Sequence, residues 1–120
     1  MSKINAVIVR IAETHNDMRV GTCYIDHLTE LDFVRAKDGR QFYRNRNTGN
    51  IVEVVAELGH ADENEINLYS RLFELGRSYP DADEAFLKRI ADIDLTELGQ
   101  FALSIFRKGQ EYPHNADIRL

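Results

Sequence analysis

Five cations fall between positions 35 and 46 of this 120-residue chain: Arg35, Lys37, Arg40, Arg44 and Arg46. Phe33 and Phe42 lie among them. Cationic side chains beside aromatic rings suit two tasks. They hold phosphates while a base stacks on a ring, or they meet the carboxylates of an acidic protein. The same arrangement has a plain structural reading, in which Arg40 and Arg44 pair with Glu53 and Glu57 across neighbouring strands.

A second set is acidic. Asp62, Glu65, Asp81, Asp83 and Glu84, followed by Asp94 and Glu97, gather where helices are expected to start. Rows of carboxylates can occupy a basic partner, including the positively charged channel of a nucleic-acid-handling machine. Helix capping and solubility account for the same residues without any partner.

Catalytic signatures are missing from the sequence. There is no glycine-rich phosphate loop, no Gly-x-Ser-x-Gly, no His-Glu-x-x-His and no Cys-x-x-Cys. The histidines stand at positions 15, 27, 60 and 114, none four residues from another, so no metal-binding helix face is legible. His27 with Asp26, Glu30 and Asp32 is the one local group able to ligate a cation or hold a base, and solvated loop residues are the better explanation of it. Asp81-x-Asp83 and Asp92-x-Asp94 look like metal-binding pairs, but capping already explains Asp81 and Asp94. Cys23 falls in an expected strand without a neighbouring base, as a small core residue would. The expectation is a protein that is not an enzyme, with no catalytic residue, no metal and no cofactor.

The elements that must carry these residues follow from periodicity. Phe33 to Lys37, Arg40 to Asn45 and Ile51 to Ala56 are short runs rich in β-branched and aromatic residues, separated by Asp38-Gly39 and Asn47-Thr48-Gly49-Asn50. Asp-Gly between such runs signals a tight hairpin, so the stretch reads as a three-stranded meander. With two-residue loops, Arg35 faces Phe42, Lys37 faces Arg40, and Tyr43 faces Val54. With glycine bulges each register slips by one and Phe42 replaces Tyr43 in the core. Upstream, Ile4 to Ala12 alternates as a strand buried on both sides, and Arg19 to Ile25 forms its hairpin partner. His27 to Leu31 is either a loop or one helical turn.

After Gly59 the hydrophobic period changes to that of a helix. Asp62/Glu65, Asp81/Glu84 and Asp94/Glu97 mark three starts. The first helix is expected to stop near Leu75 with Gly76 as its cap. The third carries a stripe of Leu95, Leu98, Phe101, Ala102, Ile105 and Phe106 and ends at Gly109. The fold class is therefore α+β: an antiparallel sheet of about five strands in the N-terminal half, with three C-terminal helices packed on one face. Residues 1–109 are expected as one domain and 110–120 as a polar tail.

Charge and composition bound the function. The chain is 43% hydrophobic and 29% charged, as ordinary globular proteins are. No apolar run approaches the ~20 residues that span a bilayer, and the lone Cys23 suits a reducing compartment, so the expected location is the cytoplasm. Residues 1–59 are electrically balanced, and the whole net charge of −5 sits in residues 60–120. These features lead to a small non-enzymatic protein-binding module, an inhibitor or adaptor, contacting another protein through the hairpin or the acidic helix starts. The alternative is single-stranded nucleic-acid binding through the basic hairpin 33–46, which the overall acidity opposes. The first helix is apolar around much of its circumference, which hints at a homodimer contact.

Overall fold

The computed structural model describes residues 3–91 and 99–114. It is α+β. Five antiparallel strands occupy the N-terminal half: β1 (Ile4–Glu13), β2 (Cys23–His27), β3 (Leu31–Lys37), β4 (Arg40–Asn45) and β5 (Ile51–Ala61). Three helices follow among the described residues: α1 (Glu63–Ser78), α2 (Glu84–Ala91) and α3 (Gln100–Gln110). The expected helix start at Asp94/Glu97 lies outside the described residues. The chain forms two compact units, Met1–Ile66 and Asn67–Leu120.

In the sheet unit the strand order is β2-β1-β5-β4-β3. β1 is thus interior, flanked by β2 and β5, and Ala6, Val7, Ile8 and Val9 are buried in succession. That succession is what a strand covered on both faces demands. One face gathers Val7, Val9, Ile11, Leu31 and Val52 into a core, with Tyr24, Tyr43 and Val54 packed against it. The second strand begins later than expected, at Cys23, because the chain is still turning at Gly21 (φ 92°), where the Thr22 N–H returns to the Arg19 carbonyl. The ambiguous segment is one 3-10 turn, Leu28–Glu30.

Asparagine side chains order one end of the sheet. Asn45 is 2% exposed; its Oδ1 accepts from the backbone N–H of Asn47 (2.8 Å) and Thr48 (3.1 Å). Its Nδ2 donates to both carboxylate oxygens of buried Asp26. Asn50, fully buried, accepts from the N–H of His15 at 2.7 Å and so fastens the β1–β2 loop to the β4–β5 loop. These bonds satisfy loop backbone that would otherwise be buried unpaired.

In the helical unit, α1 and α3 touch through glycines. A Cβ on Gly76 would fall 2.1 Å from the Phe106 carbonyl oxygen, and one on Gly109 would fall 2.1 Å from that of Phe73. Neither glycine ends a helix, contrary to expectation: α1 continues to Ser78 and α3 to Gln110. Both are instead points of backbone-to-backbone approach. Leu72, Phe73, Leu103, Ile105 and Phe106 are buried beside them. Phe101, expected in the buried stripe, is 44% exposed, and Leu103 takes its place. The segment after α3 is tied down as far as His114. Buried Arg77 donates from Nε to the Tyr112 carbonyl at 2.7 Å, and His114 Nε2 meets Glu74 Oε2 at 2.8 Å.

Candidate functional site

The β3–β4 hairpin turns on Asp38 (φ 55°) and Gly39 (φ 77°). Both lie in the left-handed region, where glycine is at ease and aspartate tolerable, and two such residues make the tight turn whose twist matches the strands. The register next to the turn is that of the two-residue loop, with Lys37 opposite Arg40 and Arg35 opposite Phe42. A bulge between Phe33 and Arg35 then leaves Val34 unmatched, and Phe33 faces Tyr43. Phe42 and Tyr43 are consecutive on β4 and so point to opposite faces. The bulge consequently places Phe33 on one face of β3 and Arg35 on the other.

The β4–β5 register fits neither expected version. Tyr43 faces Val52 and Arg44 faces Ile51. The loop is longer than two residues because Asn45 is paired with Asn50, and the Gly49 N–H returns to the Asn45 carbonyl at 2.8 Å.

The two aromatic residues have different fates. Phe42 is 9% exposed, covered by the guanidinium of Arg35 at 4.9 Å from the ring centroid and that of Arg40 at 5.6 Å. Its faces are thereby taken by cations of the same chain. Phe33 is 59% exposed and meets Tyr43 edge-on, with centroids 5.5 Å apart.

The five cations also divide. Arg40 makes a two-point bond to Glu53, whose side chain is 3% exposed. Arg46 bonds Asp32 at 2.6 Å and the Thr29 carbonyl. Arg35 approaches Glu13 at 3.9 Å with both side chains half in solvent, an interaction worth little in water. Lys37 and Arg44 are exposed and meet no carboxylate among the described residues. Arg44 does not pair with Glu57, because the β4–β5 register sets it opposite Ile51. At the hairpin tip Arg35, Lys37, Arg40 and Asp38 rim a hollow of about 280 Å³ floored by Phe42.

β3 is the outermost strand at this side of the sheet, and six of its seven residues are exposed. Val34 is 37% exposed beside Phe33. An edge strand offers unpaired N–H and C=O groups along its outer side.

The acidic residues at helix starts have local tasks. Asp62 and Glu65 exchange bonds, Glu65 N to Asp62 Oδ1 at 2.9 Å and Asp62 N to Glu65 Oε1 at 3.1 Å, a capping box. The second cap is Asp83, not Asp81, with its Oδ1 accepting from Phe86 N at 2.8 Å. Glu84 lies 3.6 Å from Arg107. Asp81 is exposed and, with Asp83, Tyr79 and Phe86, lines a hollow of about 480 Å³ in the helical unit.

The His27 group does not converge. Asp26 is buried toward Asn45, His27 is exposed, and Asp32 is occupied by Arg46. Among the described residues, no three His, Cys, Asp or Glu side chains stand where they could hold a metal ion. Burial, opposed in part by the Asn45 bond, holds the Asp26 carboxyl above the usual aspartate range. Burial and then the neighbouring Asp26 charge push the Tyr24 hydroxyl up to about 12. Cys23 is half-buried. Asn45 and Asn50 escaped the sequence reading because polar residues near a glycine look the same whether exposed in a turn or buried beneath one.

No protein-family model, curated protein or solved structure matches this chain. No described helix is long and apolar enough to cross a membrane.

Proposed function

We propose that the protein is a non-catalytic binding module, an inhibitor or adaptor, that docks another protein on the outer side of the β3–β4 hairpin. The observation that carries this reading is β3 itself, an edge strand with Phe33 59% exposed and Val34 beside it. Aromatic residues are enriched where proteins meet, and a bare edge adds main-chain hydrogen bonding.

Nucleic-acid binding through the hairpin is less well supported. Phe42 is covered, and Arg40 and Arg46 are engaged by carboxylates of the same chain. Neutralised cations release few counterions and hold few phosphates. Among the acidic helix starts, Asp62, Glu65 and Asp83 are engaged in capping and Glu84 by Arg107.

Photocrosslinking tests the reading. A photoreactive phenylalanine analogue in place of Phe33 is expected to capture a discrete protein in nuclease-treated extract, whereas the same group in place of Tyr79 captures none. Equal capture at both positions, or capture only of nucleic acid at position 33, would overturn it.

A further inference from the structure

The bulge at Val34 gives the edge a two-sided character that regular alternation would not. Phe33, with Tyr43, lies on the sheet face of the Val7–Val52 core cluster. Arg35 and Lys37 lie on the opposite face, across from Phe42 and Arg40. A strand laid against β3 would therefore meet an aromatic surface on one side and cations on the other.

Charge narrows the occupant. Glu53 and Asp32 neutralise Arg40 and Arg46, so the hairpin's outward charge comes from Arg35, Lys37 and Arg44 against Asp38, while the whole chain is at −5. A second copy laid edge to edge would bring two positive hairpins together, which like-charge repulsion opposes. A long polyanion is opposed by the chain's net charge of −5. A short acidic strand meets neither penalty, and the hollow rimmed by Arg35, Lys37, Arg40 and Asp38 sets three cations against one carboxylate. Bulges and charges are also the devices that keep an edge from pairing indiscriminately. Here the exposed Arg35 and Lys37 oppose a basic strand and favour an acidic one.

We infer that β3 receives an extended acidic segment of a partner protein, one that alternates apolar and acidic residues. Its apolar side chains lie on the Phe33 face and its carboxylates on the Arg35/Lys37 face. Main-chain hydrogen bonds hold the added strand and the alternating side chains select it. This inference rests on the hairpin being a protein-docking surface and names the chemistry of what docks there.

A blocked peptide of alternating valine and glutamate, titrated into the isotope-labelled full-length protein, provides the test. Its binding is expected to shift and slow the exchange of amides in residues 31–37. Affinity should fall steeply with salt and drop about tenfold or more when Arg35→Glu and Lys37→Glu are combined. Both side chains are exposed, and the doubly substituted protein should in turn bind a second blocked peptide, of alternating valine and lysine, that the natural protein refuses. Equal binding of the two peptides by the natural protein, or shifts lying outside the hairpin, would overturn the inference. If the valine–glutamate peptide fails to bind while crosslinking at position 33 still captures a protein, the inference falls and the docking surface stands. Failure of both removes both.

Discussion

Arg40 reaches from β4 to the buried Glu53 of β5 and closes a two-point pair, Nε to Oε2 at 2.8 Å and Nη2 to Oε1 at 2.6 Å. The cation is half-exposed and the carboxylate is not, so the pair fixes an outer side chain to an inner one. It also holds the guanidinium over Phe42. Arg40 is thus a structural residue within a surface that otherwise faces outward.

Removing that cation strands a buried charge. Arg40→Ala is expected to lower stability by about 2–3 kcal/mol, below the roughly 3–5 of a fully buried pair because water reaches one side. Arg40→Lys keeps the charge but loses the fork, and should cost about 1 kcal/mol. Urea unfolding of the three proteins checks both values.

Gly76 and Gly109 make the opposite kind of claim. Alanine ordinarily favours a helix interior over glycine by about 1 kcal/mol. Here Gly76→Ala and Gly109→Ala are expected to destabilise by about 1–3 kcal/mol or more, since each new Cβ meets a carbonyl oxygen of the other helix. Thermal melting settles the sign.

Asp26 predicts an unusual pH response. Its carboxyl is raised in the folded chain, so folding favours the protonated form. Stability from this group is full below the unfolded aspartate value and is lost as pH rises through the folded one. Asp26→Asn should therefore stabilise the protein at pH 7, keep the Asn45 bond through its amide oxygen, and lose its advantage near pH 3. Denaturation midpoints across that range check the trend.

Tyr24 behaves similarly at the alkaline end. With its hydroxyl raised from 10.0 to about 12, its contribution persists below pH 10 and disappears between 10 and 12. Ultraviolet titration should show a late tyrosinate transition that Tyr24→Phe removes.

Much of this fold was legible because local signals agreed. Asp38-Gly39 specified the turn and left two registers open, of which the strands beside it take the two-residue one. The continuous burial of β1 followed from its uninterrupted apolar residues, and the reciprocal cap at Asp62 and Glu65 from spacing alone. Features decided by distant contacts were not legible. Gly76 and Gly109 resemble helix stops until another helix is seen against them. Asp81 was the expected cap of the second helix, and only the path of the chain puts Asp83 there instead. The four-residue β4–β5 loop depends on Asn45 being buried against Asp26, a contact between residues far apart in sequence. At the hairpin the Arg40–Glu53 pair was readable, but the partners of Arg35 and Arg46 and the bulge at Val34 were not. Those decide that Phe33 is presented and Phe42 withdrawn.

The docking role of the hairpin is tested most directly by recovery of partners from nuclease-treated extract. The full-length protein serves as bait beside a form carrying Phe33→Asp and Lys37→Glu, and a control carrying Asp81→Lys. The account predicts a specific protein retained by the natural and Asp81→Lys baits and lost from the hairpin variant. The same protein on all three baits, or recovery that vanishes with nuclease, would contradict it.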